Sequence, residues 1–167
     1  MRLVTFQKNK ETAIGIVEAD GATIIDLSIA APDLPEEMTS FIELGDDGLK
    51  KAAAACEGAD DGARTALADA DLLAPIPHPR RNVMCVGRNY HEHAQEFHDS
   101  GFDATAGATA VPDDPIIFTK ATTSVSGPTD PIPAYLDSSN STDYEGELAV
   151  IIGKAGRGIS KADAFDH

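Results

Sequence analysis

The sequence predicts an α+β fold in two parts, and three observations carry that prediction. The chain opens with short runs rich in Val, Ile, Thr and Phe, punctuated by turn residues. An Ala- and Lys-rich stretch follows them, with the texture of a helix. Then the Pro-rich passage Ala74–Pro79 (APIPHP) interrupts the chain, and the pattern beyond it changes to isolated apolar runs between polar loops.

The first part contains three expected strands, at 2–6 (RLVTF), 13–19 (AIGIVEA) and 22–27 (ATIIDL). Lys8-Asn9-Lys10 and Asp20-Gly21 are the turns between them. Two helical pieces come next, Met38–Leu44 after the Pro32–Pro35 break and then Gly48–Glu57. No His, Cys or paired acids converge here, so this part is read as a small domain without chemistry of its own.

After the linker, Asn82–Val86 (NVMCV) reads as an apolar strand broken by Gly87. Tyr90–Ser100 reads as a helix, with Asn89 as N-cap, Glu92 in capping-box position and Gly101 as the stop. Residues 101–114 are small and polar, as in a mobile loop. Pro115–Lys120 (PIIFTK) is a further strand, and Gly127–Pro133 a turn-rich connection. Ser160-Lys161-Ala162-Asp163 begins one more helix.

The segment TDYEGELAVIIG (142–153) carries the sharpest chemical signal. Asp143, Glu145 and Glu147 precede an apolar run at every second position. In a strand, alternate side chains share a face, about 7 Å apart. Three carboxylates so placed repel unless they face water or gather a cation. Hard oxygen donors of this kind suit Mg²⁺, Mn²⁺ or Ca²⁺ better than zinc. Gly146 between the two glutamates leaves the other face bare, as for close backbone approach.

The expected helix offers an acid–base pair. HEHAQE (91–96) is not a metalloprotease motif, because Gln95 stands where H-E-x-x-H needs its second His. His93 and Glu96 remain, at a spacing that lets the carboxylate orient the imidazole. The same spacing also occurs on ordinary solvated helices. His91 and His98 are expected on the other side, in water. Arg88 after Gly87 and Lys120 at a strand end are either surface cations or anchors for a substrate carboxylate. Cys85, within an apolar strand, is expected to be buried and inert.

Several function classes are excluded. A net charge of −15, from 28 acids against 13 bases, argues against nucleic-acid binding. Two cysteines without metal spacing, Cys56 and Cys85, suit a reducing compartment. The N-terminus MRLVTFQKNK has no apolar signal core and no run has the length of a membrane span, so a cytoplasmic location is expected. There is no P-loop, G-x-G-x-x-G turn, G-x-S-x-G elbow or EF-hand loop.

CVGRNYHEHAQE (85–96), PIIFTK (115–120), GPTDPI (127–132) and DYEGELAVIIGKAGRGIS (143–160), in this order, resemble the fumarylacetoacetate hydrolase family. The first ~75 residues resemble the small domain that many bacterial members carry. The resemblance implies a small N-terminal α/β domain (1–78) before a mixed β-sandwich roll (79–167), in a homodimer. It further implies Glu145 and Glu147 as ligands of Mg²⁺, Mn²⁺ or Ca²⁺, with Asp143 at the rim. His93 and Glu96 become the water-activating dyad, Arg88 and Lys120 the substrate contacts, and 89–114 a lid. The implied reaction is hydrolytic cleavage of a C–C bond in an acylpyruvate-like diketo acid. The same family holds isomerases and decarboxylases on similar sites, and a non-catalytic binding module is the alternative from another class. The family's third metal ligand would fall beyond His167, so the chain is expected to comprise the small domain and the first part of the roll.

Overall fold

The computed structural model describes residues 1–8, 10–100 and 110–167. It is a mixed α+β chain that divides into two compact units, Met1–Pro77 with Ser126–His167, and His78–Val125. Residues 126–167 thus fall in the first unit, whereas the sequence-based division groups them with 79–125.

The first unit is built on a five-stranded antiparallel sheet. Its strands are β1 (Arg2–Lys8), β2 (Glu11–Val17), β3 (Thr23–Asp26), β4 (Arg64–Ala66) and β5 (Asp71–Leu72), in the order β4-β3-β2-β1-β5. β1 and β2 form a tight hairpin in which Lys8 opposes Glu11 and Lys10 takes a positive φ of 71°. Alternation divides β2 between two faces. Ile14 and Ile16 pack with Leu27, Leu34, Met38, Phe41 and Ala52 on the helical side, while Ala13 joins Phe6 and Ile24 on the other. Gly15 is required here, because a Cβ at that position would lie 2.3 Å from Ile24 Cγ2.

Three helices cover the first face: α1 (Leu27–Ala30), α2 (Met38–Ile42) and α3 (Gly45–Gly58). α1 is begun by Asp26, which accepts hydrogen bonds from Ser28 N at 2.9 Å and Ser28 Oγ at 2.6 Å. Asp26 also pairs with Lys8 Nζ at 2.5 Å. Burial pushes its carboxyl up, but the hydrogen bonds from Lys8 and Ser28 outweigh that and hold it below its ordinary value. α3 starts three residues before the expected Gly48, with Asp46 and Asp47 complementing the helix dipole in its first turn.

The expected linker does not swing free at its start. Leu73 N donates to Thr5 O at 2.9 Å, and buried Thr5 donates through Oγ1 to Pro75 O at 2.6 Å. This lashing, with Phe6 opposite Leu72, turns the stretch before the prolines into the sheet's edge.

In the second unit β6 (Val83–Gly87) and β7 (Ile116–Lys120) pair antiparallel. Between them in sequence lies α4 (His91–Asp99). Tyr90, not Asn89, holds the N-cap position, and it makes no side-chain capping bond. Gly101 and most of the expected lid loop lie outside the described residues.

Candidate functional site

β6 delivers the first candidate group. The strand ends at Gly87, and Arg88 turns the chain with φ of 53°, a left-handed conformation rarely taken by a residue with a Cβ. The chain then enters α4, where Ala94 is fully buried and seats the helix. His93 is half-buried and Glu96 exposed on this helix, one turn apart. His91 is exposed as expected, but His98 is half-buried rather than solvated. Phe97 lies one turn beyond His93, and the guanidinium carbon of Arg88 stands 5.7 Å from its ring centroid. Gln95 Nε2 donates to Asp99 Oδ1 at 2.9 Å along the outer face.

Lys120 belongs to the same unit but not to this end of it. Its backbone partner in β7 is Val83, the first residue of β6, while Gly87 pairs with Ile116. Arg88 and Lys120 therefore leave opposite ends of the ladder, about 17 Å apart at roughly 3.4 Å per residue. Lys120 is exposed, and on its face of the ladder stand Phe118, Ile116 and Cys85. Cys85 is half-buried, not enclosed, because most of this sheet's surface is uncovered.

Glu145 and Glu147 belong to the first unit. Here the structure departs from the expectation of a strand: residues 142–150 are exposed and adopt no regular structure. A strand exists only when its N–H and C=O groups meet a neighbour's, and among the described residues no strand pairs with this segment. Nor is there close backbone approach at Gly146, where a Cβ would meet no described atom within 4 Å. The shared face that the alternation implies is consequently not formed.

The loop leading into this segment is ordered by a residue the sequence reading passed over. Asp137 accepts hydrogen bonds from Ser139 N at 2.9 Å, Ser141 N at 2.7 Å and Thr142 N at 2.7 Å, and from the hydroxyls of Ser139 and Thr142. The Ser139 hydroxyl, then Thr142, then the backbone donors hold its carboxyl well below the usual range. The run DSSNST, an Asp followed by small polar residues, is the local signal for such a carboxylate-centred turn.

By chemistry, two carboxylates suit a hard divalent cation; by number, they fall short of the roughly six oxygen donors it takes. Among the described residues no group of three or more His, Cys, Asp or Glu side chains gathers as a metal centre. The donor type fits such a cation, and the donor set among the described residues is incomplete.

Residues 82–167 match the family described as Fumarylacetoacetate (FAA) hydrolase C-terminal. The mitochondrial oxaloacetate tautomerase fahd2 of Xenopus laevis is 38% identical over 169 residues, covering 100% of this chain and 49% of that protein. Oxaloacetate tautomerase YisK of Bacillus subtilis (strain 168) is 35% identical over 179 residues, covering 100% and 56%. Among solved structures, a fumarylacetoacetate hydrolase from psychrophilic Exiguobacterium antarcticum superposes with a TM-score of 0.67 at 32% identity. That superposition covers 100% of this chain and 52% of that one. The chain spans about half the length of the relatives it matches.

Proposed function

The chain belongs to the fumarylacetoacetate hydrolase family, and from that premise we propose that it contributes to an enzyme moving a proton on a short 2-oxo acid, between the carbon beside the 2-oxo group and the 2-oxo oxygen. The observation carrying this reading lies at one end of β6, where the cation Arg88 stands over the ring of Phe97, one turn of α4 beyond the basic group His93. Keto–enol exchange needs little more. His93 takes the proton from the carbon as the electron pair of that C–H bond moves into the C–C bond and the carbonyl electrons onto oxygen. The protonated His93 then gives that proton to the oxygen, directly or through water, so the imidazole is restored and the enol has the same atoms as the ketone. Glu96, one turn further along α4, is proposed to orient the imidazole. The identity to oxaloacetate tautomerases supports the same reading.

Hydrolytic cleavage of an acylpyruvate is the second reading, supported by the likeness to a solved fumarylacetoacetate hydrolase. It asks more of the site, namely a positioned water and a donor for the developing oxyanion. Lys120, the other candidate cation, leaves the far end of the ladder.

Glu145 and Glu147 are proposed as two of the ligands of Mg²⁺ or Mn²⁺, with at least one further donor. When bound, such a cation supplies positive charge for the oxygen side of a 2-oxo acid. A homodimer and a cytoplasmic location complete the proposal.

The test is to add the purified protein, with Mg²⁺ or Mn²⁺, to enol oxaloacetate and to an acylpyruvate. Faster decay of the enol's ultraviolet absorbance, with His93→Gln about 100-fold slower or worse, supports proton transfer. Release of pyruvate from the acylpyruvate alone favours hydrolysis. Full activity in His93→Gln defeats both readings.

A further inference from the structure

Phe97 has no part in the chemistry above, yet it makes a specific contact with a group that does. His93 and Phe97 are four residues apart on α4, which puts them on one stripe of the helix. The guanidinium of Arg88 lies over the Phe97 ring at 5.7 Å from the centroid. A ring face is the negative end of its quadrupole, so it draws a cation, and a guanidinium carries five N–H donors in its own plane, a fork that matches a carboxylate. The backbone agrees with this placement. Arg88 is one of three non-glycine residues at positive φ among the described residues, a conformation that persists where its surroundings hold it.

From this arrangement we infer that Phe97 is a positioning residue: its ring holds the Arg88 guanidinium on the His93 stripe of α4 and so sets the affinity for the substrate's carboxylate. The inference rests on the reading of Arg88 as the anion anchor. It goes further in naming what aims that anchor. It also gives a role to an aromatic residue that stands exposed on a mostly polar helix.

The experiment compares Phe97→Leu, Phe97→Tyr, Arg88→Gln and the double variant Phe97→Leu/Arg88→Gln. Pyruvate binding is followed by calorimetry, KM and kcat are measured on the substrate established above, and thermal melts confirm folding. Leucine keeps the apolar bulk and removes the ring face; tyrosine keeps the face. The expected result is a two- to fivefold loss of pyruvate affinity in Phe97→Leu, with KM raised by a similar factor and a smaller change in kcat. Phe97→Tyr should behave like the parent, and Phe97→Leu should have no further effect once Arg88 is gone. An unchanged affinity in Phe97→Leu beside a weakened Arg88→Gln overturns the inference alone. So does a Phe97→Leu effect that persists in the double variant, since the ring then acts through packing. Parental affinity in Arg88→Gln overturns the anchor reading and the inference together.

Discussion

Arg88 and Lys120 leave opposite ends of one two-stranded ladder, because Lys120 pairs with Val83 while Arg88 follows the Gly87–Ile116 pair. Both are cations next to strand ends, and by sequence both are equal candidates for a substrate carboxylate. The register makes them unequal: only Arg88 adjoins the helix that carries His93. Replacing Arg88 by Gln is therefore expected to raise KM for a 2-oxo acid about 10- to 100-fold, the range for losing a charged hydrogen bond. Lys120→Gln should raise it by less than threefold on the same scale. Steady-state kinetics on the two variants decides, and an equal or larger effect at Lys120 would contradict this assignment.

The two glutamates of the 142–153 segment provide a second check. If Glu145 and Glu147 ligate a divalent cation, each Glu→Gln change removes a charged donor and should weaken Mn²⁺ binding at least 10-fold. Calorimetry with the chelator-treated protein reads this directly. Asp137→Asn is the useful control, since it loosens the preceding loop without touching either glutamate. Unaltered Mn²⁺ affinity in both Glu→Gln variants would remove them from the metal site.

Acid should weaken the first unit through Glu37 and Asp26. Partial burial raises Glu37, but the Thr39 hydroxyl, the Thr39 and Ser40 amides and the Ser40 hydroxyl lower it more, to about 2 from an ordinary 4.5. A carboxyl depressed in the folded state stabilises above its unfolded value and loses that contribution as pH falls through the folded one. Glu37 stabilisation is thus complete above about 4.5 and lost on approach to about 2, while that of Asp26 fades below its ordinary 3.8. Glu37→Ala should cost about 0.5–1 kcal/mol at neutral pH, as for a lost N-cap, and close to nothing near pH 2. Urea unfolding of both proteins at the two pH values tests the sign.

Gly15→Ala tests the packing on the Phe6–Ile24 face of the sheet. The added methyl would meet Ile24 Cγ2 at 2.3 Å, Ile25 O at 3.0 Å and the Phe6 ring at 3.1 Å. Ile24 is fully buried and branched at Cβ, so it has little room to yield. A loss of about 1–3 kcal/mol in urea unfolding is expected. A stabilised variant would mean that Ile24 and Phe6 shift to admit the methyl.

Features set within a few residues were legible in the sequence. β1, β2 and β3 follow from alternating β-branched residues and the Asp20-Gly21 turn, where Gly21 takes φ of 73°. α4 and the one-turn spacing of His93 and Glu96 follow from helical geometry alone. The four motifs between Cys85 and Ser160, taken in order, also carried enough information to identify the family. Other features were decided only by tertiary structure. β5 joins β1 across more than sixty residues, as Gln7 meets Asp71. Asp26 reads only as part of the third strand, 22–27, until the fold buries it against Lys8. The alternation at Glu145 and Glu147 implied a strand, but a strand needs a partner, and none of the described ones pairs with it. The register that parts Arg88 from Lys120 is likewise a pairing between segments some thirty residues apart. Turns and helical spacing depend on local backbone sterics and nearby hydrogen bonds, so a short window contains them. Pairing, register and burial depend on which distant surfaces meet, and no window of sequence holds both sides of that contact.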